Sequence, residues 1–242
     1  MGTITMFASG RDGVGKSTVS VFTAAALADK GKEVLLIELD SGLRSIDIMS
    51  GLYSNLVYDL SDVLDGRCET GQAIMKSPLS PHLSILSAPF KQEVLSADRF
   101  LKLCTVLDKE YDFIILDTAA VSSAIITAAS SSMSAVIVTT PDPISIRASR
   151  VVADSITDLS VNNIRLVINR LVPSRVQKKI IPNLDYCIDA IGARLLGVVP
   201  ESDEIALACA GHGQLDKSGI PYRVFSNIAD RMLGSEVPPL IE

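Results

Sequence analysis

The sequence has no tryptophan, only two histidines and four cysteines in 242 residues, and its formal net charge is −6. The cysteines, Cys68, Cys104, Cys187 and Cys209, are widely scattered without a C-x-x-C pair. This spacing argues against a zinc or metal-cluster site and predicts buried free thiols. The negative charge gives no general attraction to nucleic acid or anionic lipid, so a nucleic-acid-binding function starts disfavoured.

Long apolar runs are also absent. No stretch approaches the roughly 20 apolar residues that a membrane-spanning helix needs. Arg11, Asp12 and Lys16 interrupt the amino-terminal segment, which is therefore not a signal peptide. We expect a cytoplasmic protein. Hydrophobic residues make up 48% of the chain, enough for a substantial core, and the length predicts a single domain over residues 1–242.

Short apolar runs alternate along the chain with longer segments of helical period. This alternation predicts an α/β fold with a doubly wound, mostly parallel sheet and helices on both faces. The predicted strands are residues 3–8, 33–39, 83–88, 112–117, 135–140, 164–169 and 195–199. The predicted helices are residues 16–30, 97–110, 122–131, 145–159, 178–188 and 221–233.

A glycine-rich loop follows the first predicted strand and matches G-x-x-x-x-G-K-[ST] in the strand-loop-helix context of a phosphate-binding loop. Its residues are Gly10, Arg11, Asp12, Gly13, Val14, Gly15, Lys16, Ser17 and Thr18. Inward-pointing amides and the positive end of the next helix favour phosphate in such a loop. We expect Lys16 to neutralise the β and γ phosphates, Ser17 to bind Mg²⁺ and Thr18 to contact the α phosphate.

Carboxylates close two of the predicted strands. Asp117 closes an apolar strand and is the carboxylate expected to help hold Mg²⁺. Glu38 and Asp40 are two residues apart, so both are expected to face the phosphate cavity. Hydrolysis needs a group that orients water against the γ phosphate, and Asp40 is the candidate. The alternative is a solvated acidic turn. The residues alone predict ATP or GTP binding with Mg²⁺.

Further blocks follow one another along nearly the whole chain. They are residues 42–47, 57–59, 117–120, 140–143 leading to Ser145 and Arg147, 169–170 and 197–201. With the loop, they resemble the MinD/ParA family of deviant Walker A ATPases, most closely its MinD-like members. The resemblance implies an ATPase that dimerises when ATP is bound and thereby positions cell division or another surface machinery.

The resemblance also implies roles for individual residues. Asn169, Arg170, Pro200 and Glu201 would enclose the adenine base. Asp40 is similar to the family's switch I aspartate, and Asp117 to its Walker B aspartate. Arg11 stands where the family has a lysine that reaches the phosphates of the partner subunit, so it is a candidate arginine finger.

Three departures from the family pattern imply slow hydrolysis. Besides Arg11, Asp12 replaces a loop glycine, and Val121 replaces a glycine after the Walker B segment. A carboxylate beside the phosphates is repulsive unless it pairs locally, and Arg11 is the nearest partner along the chain. An alternative function is therefore a nucleotide-binding scaffold with little or no hydrolysis.

The partner surfaces implied by the resemblance are only partly encoded. An unidentified regulatory protein is expected, with the helix after Pro143 as a candidate surface, although Ala148 and Arg150 stand where MinD is often acidic. Residues 238–242 are not an amphipathic lipid-binding helix, so either the chain is truncated or the protein reaches the membrane through a partner. A ParA-like DNA or cargo segregation ATPase is another alternative. The basic residues that could support it are Arg165, Arg170, Arg175, Lys178, Lys179 and Arg194.

Overall fold

A twisted sheet of eight strands forms the centre of the computed structural model, which describes residues 2–41, 44–52, 56–91, 94–119, 122–211 and 214–240. The strands are β1 Thr3–Ala8, β2 Val34–Glu38, β3 Met75–Lys76, β4 Leu83–Leu86, β5 Phe113–Asp117, β6 Ser134–Thr139, β7 Asn163–Leu171 and β8 Arg194–Pro200. Their spatial order is β3-β4-β2-β5-β1-β6-β7-β8, and only the β3–β4 pair is antiparallel. The predicted doubly wound, mostly parallel sheet is confirmed.

Helices connect the strands and cover both faces of the sheet. They are α1 Lys16–Asp29, α2 Ser45–Met49, α3 Leu60–Leu64, α4 Thr70–Ala73, α5 Ala97–Leu107, α6 Ser122–Ala129, α7 Pro143–Asp158, α8 Pro173–Gln177, α9 Leu184–Ile191, α10 Asp203–Cys209 and α11 Ile220–Met232. One core layer packs α1 and α11 on the sheet, and the other packs α5, α6, α7 and α9 on its opposite face. Strands that are apolar throughout fit this arrangement because both of their faces are covered.

The strand order determines where a ligand site can form. β1 lies between β5 and β6. It is parallel to β5, and Phe7 near its end is in register with Asp117 at the end of β5, so the loop that follows β1 begins beside Asp117. Asp117 is in turn in register with Glu38 at the end of β2. Ligands of open parallel sheets bind beyond the carboxyl ends of the strands at such a crossover point. The glycine-rich loop and two carboxylates therefore meet at this edge.

One predicted helix, residues 178–188, is wrong. The chain forms α8 up to Gln177 and begins α9 only at Leu184, because Pro182 cannot donate a helical hydrogen bond and Asn183 caps α9. The Asn183 side chain accepts a hydrogen bond from the Tyr186 amide at 2.9 Å. The other five predicted helices correspond to α1, α5, α6, α7 and α11.

The cysteines are free thiols, of which Cys104 and Cys187 are buried and Cys68 and Cys209 partly exposed. Burial is therefore confirmed for two of the four. Within the described ranges, every helix is too short or too polar to cross a lipid bilayer.

Candidate functional site

The loop between β1 and α1 has the backbone of a phosphate cradle. Gly13 and Gly15 have φ angles of 76° and 87°, in the left-handed region that side-chain-bearing residues rarely adopt. The chain then enters α1 at Lys16, so the positive end of a 14-residue helix points at the loop. An anion in the loop would meet both backbone amides and the helix dipole.

Asn169, near the end of β7, fixes the position of this loop through a side-chain hydrogen bond. Its side-chain amide is buried and donates a hydrogen bond to the Val14 carbonyl at 2.7 Å. A Cβ at Gly15 would lie only 2.1 Å from Asn169 Nδ2, so the close approach requires glycine. Asn169 thus positions the loop, a contact that the sequence did not predict, and its expected adenine contact stays a prediction.

Gly10 sets the distance between the loop and α7. A Cβ at this position would lie 2.3 Å from the Ala148 carbonyl carbon and 2.6 Å from the Ser149 nitrogen. Neither contact can be relieved by rotating a side chain, because both are to backbone. Gly10→Ala is therefore expected to lower the free energy of unfolding by about 1–3 kcal/mol and to weaken nucleotide binding. Chemical denaturation and a nucleotide titration measure the two effects.

Gly71→Ala is the matched control for Gly10→Ala. A Cβ at Gly71 meets open space, and alanine inside α4 adds up to about 1 kcal/mol of helix propensity. If Gly10→Ala were as stable as Gly71→Ala, the close packing of loop and α7 would be contradicted.

Asp117 is the buried centre of the site. Its carboxylate accepts hydrogen bonds from Lys16 Nζ at 2.9 Å, Ser17 Oγ at 2.6 Å and Ser20 Oγ at 3.0 Å. Lys16 and Asp117 form a salt bridge with side chains only 8% and 0% exposed. The structure thus brings three of the predicted site residues together. Ser20 was missed, although it lies one helical turn after Lys16 and therefore on the same face of α1.

Asp40 and Glu38 do not both face the phosphate cavity, which corrects the sequence prediction. Asp40 lines the cavity. Glu38 is fully buried, and its carboxylate accepts hydrogen bonds from the Ser45 and Ile46 amides at 2.7 and 3.2 Å. Glu38 thereby holds the start of α2, whose Ser45 and Met49 also line the cavity. The alternation argument failed because β2 ends at Glu38.

Burial, aided by the charge of Asp117, raises the pKa of Glu38 from 4.5 to about 7. In the unfolded chain the group loses its proton near pH 4.5, whereas the folded protein keeps it until about pH 7. The stabilisation from the protonated group is therefore complete below pH 4.5 and is lost as pH rises to 7. The difference in unfolding free energy between wild type and Glu38→Gln is expected to fall by about 3 kcal/mol over this range.

Urea denaturation at several pH values measures this difference. Glutamine is a suitable replacement because its side-chain oxygen can still accept from the α2 amides but does not titrate. Glu110→Gln is the control, because it makes the same change at an exposed side chain. A constant difference between wild type and Glu38→Gln from pH 4.5 to 7.5 would contradict the assignment.

Arg11 and Asp12 do not pair with each other, contrary to the expectation from their adjacency. The Arg11 guanidinium lies 3.7 Å from the Asp142 carboxylate and 3.5 Å from Ser145 Oγ, both at the start of α7. The Asp12 side chain is exposed at the rim of the cavity. Asp142 also caps α7 by accepting from the Ser145 amide at 3.0 Å. Arg11 is therefore supported by α7, and its side chain is 48% exposed.

The remaining predicted contacts lie at the ends of β7 and β8. Arg170 lines the cavity, and its backbone has a φ of 57°, the strained left-handed region for a residue with a side chain. Pro200 pairs with Leu171 across the two strands, and Glu201 is exposed beside them. These two residues are not among those that line the cavity, so their contact with a base stays a prediction. Val121 lies outside the described residues.

The basic residues considered for DNA binding do not form one surface near the cavity. Arg170 is at the carboxyl end of β7. Arg165 lies near the other end of the same strand, in register with Arg194 of β8. Arg175, Lys178 and Lys179 are in α8 and the turn that follows it. The basic residues are thus divided between the carboxyl ends and the amino ends of the strands.

Comparison with known proteins agrees with this geometry. A family model described as the CobQ/CobB/MinD/ParA nucleotide binding domain matches residues 5–215. The chain is 32% identical to the septum site-determining protein MinD of Synechocystis over 98% of its length and 92% of that protein. It is also 32% identical to MinD of Bacillus subtilis, over 98% and 91% of the two chains. Among solved structures, the MinC:MinD cell division protein complex of Aquifex aeolicus matches with a TM-score of 0.92, 27% identity and 99% coverage of both chains.

Proposed function

Since the chain belongs to the CobQ/CobB/MinD/ParA nucleotide-binding family, as a MinD-like ATPase, we propose that the cavity above residues 10–18 binds Mg²⁺-ATP and that ATP joins two copies of the chain. The observation that carries the proposal is the convergence of Lys16, Ser17 and Asp117 beneath a left-handed glycine loop. We also propose that residues 1–242 act as one ATPase unit.

Phosphate binding follows from the charges around the loop. Lys16 is 7% exposed and paired only with Asp117 among the described carboxylates, so its ammonium group can turn from Asp117 to the β and γ phosphates. Thr18 lines the cavity one residue further along α1 and would contact the α phosphate. Arg170 supplies a second cation at the rim. These positive groups offset the Asp12, Asp40 and Asp117 carboxylates that would otherwise repel a triphosphate.

The donor set also fits Mg²⁺. This ion prefers oxygen ligands and keeps several waters, so one hydroxyl and a nearby carboxylate suffice. Ser17 Oγ would bind it directly, and Asp117, 2.6 Å from that oxygen, would hold the hydroxyl or a bound water. When bound, the ion would neutralise phosphate charge. Asp117 then orients Ser17 while Lys16 is released toward the phosphates.

Hydrolysis is proposed to depend on Asp40. Its side chain lines the cavity but makes none of the contacts that occupy Asp117. It is therefore available to orient an attacking water. Slow turnover remains our proposal, because Arg11 and Asp12 stand at the rim where the family has lysine and glycine.

ATP-dependent dimerisation is proposed to require Arg11. The guanidinium is half exposed, and its polar contacts among the described residues are at the start of α7, at 3.5 and 3.7 Å. These are weak interactions that an incoming phosphate could replace. Arg11 can thus extend from its own subunit to the triphosphate of a second copy. Loss of the γ phosphate would remove the charge that this contact needs, so hydrolysis would separate the pair.

Arg11→Ala is expected to abolish the dimer that wild type forms with ATP and Mg²⁺ and to leave the ADP form monomeric. Size-exclusion chromatography with light scattering measures the mass, and phosphate release measured in parallel shows whether the dimer cycles. ATP binding to the monomer should persist, because Lys16 and the loop amides remain.

Arg99→Ala is the control, since Arg99 is also an exposed arginine with one ion pair, to Asp65 at 2.8 Å. It should dimerise like wild type. A wild-type protein that stays monomeric with ATP would overturn the switch and favour the nucleotide-binding scaffold. If Arg11→Ala still forms the ATP-dependent dimer, the proposed cross-subunit role of Arg11 would be contradicted, but the dimer itself would not.

A regulatory partner is the final part of the proposal. The Aquifex relative is seen in a complex with a second protein, MinC. On this chain, α7 presents Ile144 and Val151, which are 68% and 61% exposed and lie seven residues apart on one face. We propose this face as the partner surface. Cytoplasmic location, with access to the inner membrane face through that partner, stays a prediction.

A further inference from the structure

A second concentration of positive charge lies at the amino ends of the strands, whereas the nucleotide cavity lies at their carboxyl ends. Arg165 and Arg194 occupy paired positions on β7 and β8, and Arg231 comes from the last turn of α11. Like charges placed directly opposite each other on neighbouring strands are destabilising. Three neighbouring arginines in a chain of net charge −6 therefore need a compensating group.

Within the described ranges, none of the three arginines has an aspartate or glutamate at ion-pair distance to compensate its charge. The nearest acidic residue along the chain, Asp230, is paired with Lys30 at 2.8 Å. Partial burial, together with the charges of Arg165 and Arg194, lowers the pKa of Arg231 below its ordinary value.

Arg231 is held in place but has one donor left over. Its two terminal nitrogens donate to the carbonyls of Val237 and Leu195, the latter at 2.8 Å. Its Nε is buried and has no hydrogen-bond partner among the described atoms. A buried unpaired donor costs about 1–3 kcal/mol, more on a charged group. This guanidinium is therefore preorganised and incompletely satisfied.

A cavity opens beside these side chains. It has a volume of about 90 Å³, and Arg165 and Arg231 line it together with Thr3, Thr5, Ser134 and Asn163. One water needs about 10–15 Å³ of such space, so the cavity has room for a phosphate group. No aspartate or glutamate lines it among the described residues. The polar lining consists of guanidinium, hydroxyl and amide groups, the donors that phosphate oxygens accept from.

We propose that this cavity is a second anion site that takes a phosphate group, held by Arg165 and Arg231, while Arg194 adds positive charge from the paired position on β8. Arginine suits the task because its planar donors bind phosphate oxygens in pairs and its charge is permanent. The phosphate belongs either to a free phosphate compound or to a lipid headgroup, and the two sources share the same chemistry at the site. The proposal does not depend on the chemistry of the nucleotide cavity.

Calorimetric titration with inorganic phosphate tests the site, in protein saturated with Mg²⁺-ADP so that the glycine-rich loop is occupied. Chloride at matched ionic strength corrects for general screening. Wild type should bind phosphate saturably, and Arg165→Gln should weaken binding at least about 10-fold, the loss of one charge-assisted contact. Arg194→Gln removes a nearby charge but no lining side chain, so it should weaken binding less. Two variants are used because neither arginine makes a described contact that folding requires. Arg175→Gln, an exposed arginine of α8, should bind as wild type does.

Flotation with vesicles separates the two sources. Retention on phosphatidylglycerol-containing vesicles, but not on pure phosphatidylcholine, and its loss in Arg165→Gln would assign the phosphate to a lipid headgroup. Saturable binding of inorganic phosphate without vesicle retention would assign it to a free compound. Failure of wild type to bind phosphate saturably, or equal affinity in Arg165→Gln and Arg175→Gln, would overturn the proposal.

Discussion

Replacing Lys16 with glutamine is expected to weaken ATP binding strongly and to lower kcat/KM for ATP by about 10²–10³. The ammonium group lies in the cavity behind the loop, where its side chain is 8% exposed, so its attraction to phosphate is poorly screened by water. Glutamine keeps a hydrogen-bond donor but removes the charge. Nucleotide titration and steady-state phosphate release measure the two quantities.

The Lys16→Gln variant also separates function from folding. Asp117 would lose its buried cation but keep the Ser17 and Ser20 hydrogen bonds, so the nucleotide-free protein should be less stable yet folded. Lys30→Gln, at the other end of the same helix, removes a surface ion pair with Asp230 and should change stability by no more than about 1 kcal/mol. Wild-type ATP affinity in a folded Lys16→Gln protein would contradict the proposed phosphate contact.

The phosphate loop could be predicted from sequence because its requirements are local. Two glycines with left-handed backbone, a lysine and a serine lie within five residues, Gly13 to Ser17, and the next helix begins at that lysine. Asp117 was found because it is the last residue of an entirely buried strand whose other residues are apolar. The contacts that orient these groups are not local. Asn169 reaches Val14 from 155 residues away, and Arg11 meets Ser145 across 134 residues.

The same distinction explains which elements were missed. The central strands were predicted because burial on both faces makes them apolar throughout. By contrast, α2, α3, α4, α8 and α10 have four to seven residues each, too few to show a helical period. β3 has two residues and forms only one antiparallel edge pair. Glu38 was misplaced for a related reason, since its partner α2 was one of the helices without a sequence signal.

The arrangement of carboxylates distinguishes the role of Asp40 from those of its neighbours. Glu38 is occupied by α2, and Asp117 by Lys16 and two serines. Asp40 is partly buried at the cavity wall, where burial raises its pKa, Lys16 opposes that rise, and the charges of Asp117 and Asp12 add to it. A carboxylate with a raised pKa is a stronger base, which suits a group that must orient or deprotonate water.

Asp40→Asn is therefore expected to lower the rate of ATP hydrolysis by about 10²–10⁴ while ATP binding and the ATP-dependent dimer persist. The amide preserves the shape of the side chain but cannot accept a proton. In wild type, hydrolysis should decline on acidification at a higher pH than the ordinary pKa of aspartate, and this acid limb should be absent from the residual activity of Asp40→Asn. Single-turnover phosphate release across pH, with light scattering on the same samples, measures both.

Asp12→Asn is the matched control, because Asp12 is another aspartate that lines the same cavity but is exposed at its rim. Removing its charge reduces repulsion toward the triphosphate, so turnover should stay the same or rise. Equal losses in the two variants would indicate a general effect of charge rather than a water-orienting role. Undiminished hydrolysis in Asp40→Asn would assign the water-orienting role to another group in the cavity. An Asp40→Asn protein that forms the ATP-bound dimer but does not hydrolyse ATP would show that Asp40 acts after binding and assembly are complete.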